Sequence, residues 1–159
     1  TMELLQPTLC YLARDGQYLM LHRLKKTQDV NKHKWSGVGG KFEPGEDAVA
    51  CALREVQEET GLTMHTPLYR GIVDFFCPPW PAERMHLFTC TDFSGEMRVC
   101  DEGDLEWVDK EKVSALPIWE GDKIFFALLA GNEPFFHLEL QYEKDVLVRA
   151  CLNGQELPR

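Results

Sequence analysis

Apolar and polar positions divide this chain into short alternating runs and two longer segments of helical character. Residues 8–13 form a β-rich apolar run, Asp15-Gly16 marks a hairpin turn, and residues 17–24 follow as a second strand. Residues 27–34 are polar and read as a loop. Residues 47–60 contain no Gly or Pro and are rich in helix formers, and Gly61 stops them as a C-terminal cap. On a helical wheel Val49, Leu53 and Val56 share one stripe, with Ala52 at its edge. Residues 68–76 and 84–93 read as strands. The three prolines in residues 77–82 exclude regular strand between them. Ser94-Gly95 turns the chain, and residues 103–108 read as a short strand. Residues 110–116 predict a short helix ended by Pro117, and residues 121–129 a packed helix closed by Gly131-Asn132. Residues 135–142 alternate with a period of two, residues 146–152 give a final strand, and Asn153-Gly154 makes a turn.

Hairpin turns mean that the strands cannot all be parallel. The pattern therefore predicts an α/β fold with a mixed β-sheet sandwiched between α-helices. No repeat or linker interrupts residues 1–159, which read as a single domain.

Composition narrows the function. The chain of 159 residues is long enough for a sizeable core, and its net charge of −9 argues against a duplex nucleic-acid partner, which needs a basic face. Six cysteines stand at 10, 51, 77, 90, 100 and 151, with no zinc spacing among them. They read as buried free thiols, which suggests a cytoplasmic protein. No signal peptide and no apolar run near 18 residues is seen, so no membrane partner is expected.

Glu55, Glu58 and Glu59 gather on a side of the predicted helix centred roughly 145° from its apolar stripe. Carboxylates at i, i+3 and i+4 repel one another. A solvated acidic face accounts for such a trio, and so does a hard divalent cation, which takes oxygen ligands and keeps waters and phosphates in its shell. Arg54 sits four residues before Glu58, where it orients a carboxylate or balances charge. Glu46 stands at the helix entrance, where it is placed to pair with Arg54. The turn at residues 37–40 lets the backbone approach a ligand closely, or simply bends the chain. Arg23, Lys25 and Lys26 form a basic cluster that reads either as a solvated patch or as a phosphate contact.

Residues 40–62, GKFEPGEDAVACALREVQEETGL, resemble the Nudix box at every defining position: the outer glycines, the first Glu, the Arg-Glu and Glu-Glu pairs and the aliphatic sites. The resemblance implies a Nudix fold and Mg²⁺-dependent hydrolysis of a nucleoside diphosphate linked to another group, with Mn²⁺ as a substitute. It makes the carbonyl of Gly39 and the side chains of Glu55, Glu58 and Glu59 metal ligands, and Glu46 and Arg54 supports of the site. Across most of the chain the order of matches is similar to the MutT-type 8-oxo-dGTP diphosphatases. From that likeness Glu102, in the turn at 101–103, becomes a further ligand or base. Catalysis then falls to Glu58, Glu55 and Glu102. Trp119 and Asp122 become the readers of a purine base, an indole face for stacking and a carboxyl for the base edge. Ser36, Phe76, Arg23 and Lys41 complete the expected small-molecule nucleotide site.

Two departures bear on the substrate. Ser36 stands where mammalian members have Asn, and Gly121 stands where they have a second acid. They leave a broader purine nucleoside triphosphate pyrophosphatase open. Pro78, sixteen residues beyond Leu62, is a loose marker of ADP-ribose pyrophosphatases, and a catalytically silent nucleotide sensor is a third reading.

Overall fold

A computed structural model describes residues 4–24 and 31–158. Lys25 and Lys26 of the expected basic cluster lie outside the described residues. In chain order the elements are β1 (Leu4–Leu5), β2 (Thr8–Arg14), β3 (Gln17–Arg23), β4 (Trp35–Ser36), α1 (Ala48–Thr60), β5 (Leu62–Met64), β6 (Leu68–Phe76), β7 (Ala82–Cys90), β8 (Phe93–Gly95) and β9 (Gly103–Asp109). A 3₁₀ turn (Lys110–Ala115) follows, then α2 (Asp122–Ala130), β10 (Phe136–Glu143), β11 (Val146–Leu152) and β12 (Gln155–Glu156).

The main sheet runs β12-β11-β10-β6-β7-β2-β3-β4, with β1 added beside β7 and β9 beside β3. It is mixed, as the hairpin turns require: β2 pairs with β7 and β10 with β6 in parallel, whereas β2–β3, β6–β7 and β10–β11 are antiparallel. Side-chain alternation along β2 and β3 builds two cores. Cys10, Leu12, Leu19 and Leu21 pack with Ala52 and Val56 of α1. Tyr11, Ala13, Tyr18 and Met20 pack with Phe125, Phe126 and Leu129 of α2. The two helices therefore cover opposite faces of the central strands, which is the expected sandwich. Burial of a side chain such as Phe125 contributes about 1.5–3 kcal/mol relative to leaving it in water.

Helix α1 begins and ends where its chemistry says. The Asp47 carboxylate accepts the Ala50 N–H at 2.8 Å, and Gly61 adopts φ 80° to close the helix on Gln57 O. Its buried face departs from the expected stripe. Val49 is 40% exposed, and the buried residues are Cys51, Ala52, Val56 and Thr60. The inward direction lies between the apolar stripe and the acidic one, so Glu59 turns toward the protein. A hydrophobic count alone centres the face too far from the glutamates.

Other differences concern short segments. The strand expected over 84–93 is divided: β7 spans Ala82–Cys90, and Phe93–Gly95 pairs instead with Leu62–Met64 in a separate ribbon. Three residues are too few to show a period, and the same holds for Leu4–Leu5, Trp35–Ser36 and Gln155–Glu156. All six cysteines are free and buried. Among the described residues no helix is long and apolar enough to cross a membrane.

Candidate active site

The glycine turn is pressed between β2 and α1. Gly40 O accepts the Thr8 N–H at 2.8 Å, and Cys10 and Val38 exchange backbone hydrogen bonds at 2.6 and 3.0 Å. A Cβ on Gly39 would lie 2.0 Å from Thr8 O, and one on Gly40 would lie 2.5 Å from the Glu55 carboxyl carbon. Only glycine permits this approach, which brings backbone against the acidic face of the helix.

Arg54 organises that face. Its Nε and Nη2 donate to the two Glu46 oxygens at 2.6 and 2.8 Å, a bidentate pair. Nη1 donates to Glu55 at 2.7 Å and to Glu58 at 3.2 Å, and Nη2 also reaches Lys41 O at 3.0 Å. The hydrogen bonds from Arg54 hold the Glu46 carboxyl down at about 2, below the usual carboxylate range. Of the three helix glutamates Glu58 is the most open, its side chain 58% exposed. Glu59 points the other way and accepts the Gly39 N–H at 2.8 Å. Burial and then the neighbouring Glu102 charge raise its pKa, against the pull of the Gly39 N–H. Glu102 also pairs with Arg23 at 3.3 Å.

The side chains thus form two sets: Glu55 and Glu58 on Arg54, and Glu59 beside Glu102. Among the described residues no three His, Cys or acidic groups converge on one point as placed. The donors nevertheless fit a hard divalent cation. They are all oxygen, and the Glu59–Glu102 contact is a like-charge pair that a cation between them would relieve.

A cavity of about 410 Å³ opens beside these groups. Arg23, Gly39, Gly40, Lys41, Arg54, Glu55 and Glu102 line one end, and Ser36, Asn31, Phe75, Met85, Trp119 and Asp122 line the other. Glu46, Glu58 and Glu59 stand behind or beside the lining. Trp119 is only 6% exposed, and its indole Nε1 donates to Asn31 Oδ1 at 2.6 Å. The Phe75 ring meets it edge-on at 4.9 Å, and Lys34 Nζ lies 4.6 Å from the indole ring centre. Asp122 is also 6% exposed, and no donor among the described residues satisfies its carboxyl. Burial pushes its pKa up to about 8, against a weaker opposing pull from Lys34.

One expected wall is corrected. Phe76 does not line the cavity, and Phe75 does. Successive strand residues face opposite ways, and Phe75 shares its face with buried Val73. That parity was present in the strand pattern and identifies Phe75. Asn31 carried no such signal, because it comes from a polar loop and gains meaning only from its contact with Trp119.

Fold and site together define a hydrolase domain that sets carboxylates on a helix against a glycine turn. Residues 6–129 match the NUDIX domain family. The chain belongs to that family and is a MutT-like Nudix hydrolase. It is 30% identical to the oxidized purine nucleoside triphosphate hydrolase of Danio rerio, with 94% of each chain covered. It is also 30% identical to an NAD-capped RNA hydrolase, NudC, of Stutzerimonas stutzeri, over 71% of this chain and 40% of that one. Among solved structures, the MutT protein of Bacillus halodurans superposes with a TM-score of 0.82 at 28% identity, over 96% of this chain and 99% of that one. Nudix hydrolases generally use divalent metal ions and act on small nucleotide substrates.

Proposed function

We propose that residues 1–159 act as one domain, in the cytoplasm, that hydrolyses purine nucleoside triphosphates to the monophosphate and pyrophosphate. The leading substrate is 8-oxo-dGTP, so the reaction clears oxidised nucleotide from the pool used for DNA synthesis. The observation that carries this reading is the single cavity with acids and glycine turn at one end and Trp119 and Asp122 at the other. Its two ends match the two ends of a nucleotide. The zebrafish relative, which covers nearly the whole chain, carries a name of the same chemistry.

Glu55, Glu58, Glu59, Glu102 and the Gly39 carbonyl would hold Mg²⁺, or Mn²⁺ in its place. When bound, the ion neutralises phosphate oxygens and acidifies water. The chain's own groups do the rest. Arg54, anchored on Glu46, holds Glu55 against the glycine turn and Glu58 beside it on the helix. One carboxylate of Glu58, Glu55 and Glu102 takes the proton of the attacking water. Arg23 and Lys41, at the same end of the cavity, balance phosphate charge. Trp119 supplies a face for the purine, Phe75 and Ser36 bound it, and the Asp122 carboxyl meets the base edge with no donor among the described residues competing for it.

The NudC likeness favours a second reading, hydrolysis of a larger nucleoside diphosphate derivative. Turnover of 8-oxo-dGTP, dGTP, dATP, ADP-ribose and NADH at fixed Mg²⁺, with products identified, separates the two. The proposal requires the purine triphosphates to lead in kcat/KM and to release pyrophosphate. Leadership by ADP-ribose or NADH overturns it.

A further inference from the structure

The base end of the cavity takes its support from a strand beyond residue 129, where the family match ends. Tyr142 lies on β10, is buried, and does not line the cavity. Its ring meets Trp119 edge-on, with centroids 4.8 Å apart at 65°, and leans on Phe75 at 5.2 Å. Its hydroxyl accepts the N–H of Gly121 at 2.8 Å. Gly121 directly precedes Asp122 at the start of α2. One side chain therefore touches two walls of the cavity and the residue that sets the position of the buried carboxyl. Asn31 holds the indole from its other side, through Nε1.

Gly121 shows what this arrangement excludes. A Cβ there would fall 2.7 Å from the Tyr142 hydroxyl and 2.5 Å from Leu140 Cδ1. Any side chain at 121, an acid included, would have to displace Tyr142 or Leu140. The missing side chain at 121 and the tyrosine behind it are two aspects of one packing choice.

We propose that Tyr142 is a positioning residue for base recognition: it fixes the tilt of Trp119 and the entrance of α2, so that the Asp122 carboxyl faces the base edge. This rests on the reading that the cavity takes a purine nucleotide. Through Tyr142 the C-terminal strands belong to the specificity of the enzyme as well as to its fold.

Tyr142→Phe keeps the ring and strands the buried Gly121 N–H, and Tyr142→Leu removes both contacts. For 8-oxo-dGTP, Tyr142→Phe is expected to raise KM about tenfold, with kcat within about twofold of wild type and half-activation by Mg²⁺ unchanged. Tyr142→Leu should raise KM further. In NMR spectra the Trp119 indole N–H signal should move in both variants, and the Trp107 signal, from the core on the other face of the sheet, should not. An unchanged KM in Tyr142→Phe, or a fall in kcat for every substrate with KM unmoved, overturns the proposal. If wild type does not hydrolyse purine triphosphates, the functional reading fails separately. The indole signal then still decides whether Tyr142 holds Trp119, and an unmoved signal overturns that.

Discussion

The two ends of the cavity are built by different rules. At the acidic end Glu55, Glu58 and Glu59 lie within one helix, and Arg54 binds Glu46, Glu55 and Glu58 from the same segment. At the base end Ser36, Phe75, Trp119 and Asp122 come from separate parts of the chain and meet only because β4, β6 and α2 pack as they do. The acidic end is half open and knitted by ion pairs, while the base end is buried, aromatic and holds a carboxyl with no donor among the described residues. On the proposed reading, chemistry common to all substrates rests mostly on local spacing, with Glu102 and Arg23 added from elsewhere in the chain, and selection among substrates rests on tertiary packing.

The sharpest break in that comparison is loss of a carboxylate from the acidic end. Glu58→Gln is expected to lower kcat about 100-fold or more, with circular dichroism and Tm as in wild type because the side chain is exposed. Pyrophosphate release measures it, and near-wild-type turnover would remove Glu58 from the mechanism. At the base end, Trp119→Leu should act on KM instead. Loss of stacking is worth about 1–3 kcal/mol, so steady-state kinetics should show KM for purine triphosphates raised tenfold or more. A kcat effect of the same size would erase the distinction between the ends.

Smaller effects sharpen the boundary. Phe75→Leu should raise KM several-fold, about 1 kcal/mol for a lost aromatic contact, while Phe76→Leu should leave it unchanged. Equal effects would contradict the assignment of the wall to Phe75. The buried Asp122 carboxyl gives a stability test with a definite sign. Its pKa in the folded protein, about 8, lies above the ordinary carboxylate value. The cost of ionising it in the fold therefore begins above about pH 4 and is complete only above about 8. Asp122→Asn should melt with wild type at pH 4 and progressively above it from pH 5 to 8. A constant difference in Tm across that range would show that the carboxyl ionises freely.

How much of this was legible in the sequence follows the same division. The caps at Asp47 and Gly61, the Glu46–Arg54 pair and the close glycine turn depend on neighbours a few residues away, and spacing exposes them. Apolar positions alone centre the buried helix face too near Val49, whereas Glu59 turns inward toward the Gly39 N–H. Phe75 and Phe76 belong to one apolar run, and only the facing of buried Val73 separates them. Asn31 and Tyr142 had no local signature at all. Their roles exist only in contact with Trp119 and Gly121.

The central claim is that one cavity divides its work between a metal-and-phosphate end and a base-reading end. The most direct measurement is kcat/KM of Asp122→Asn against wild type for 8-oxo-dGTP and dGTP, each at several Mg²⁺ concentrations. The ratio between the two substrates should shift about tenfold or more, the scale of one buried hydrogen bond, with the Mg²⁺ dependence unchanged. Equal slowing of both substrates, or a changed Mg²⁺ requirement, would contradict it.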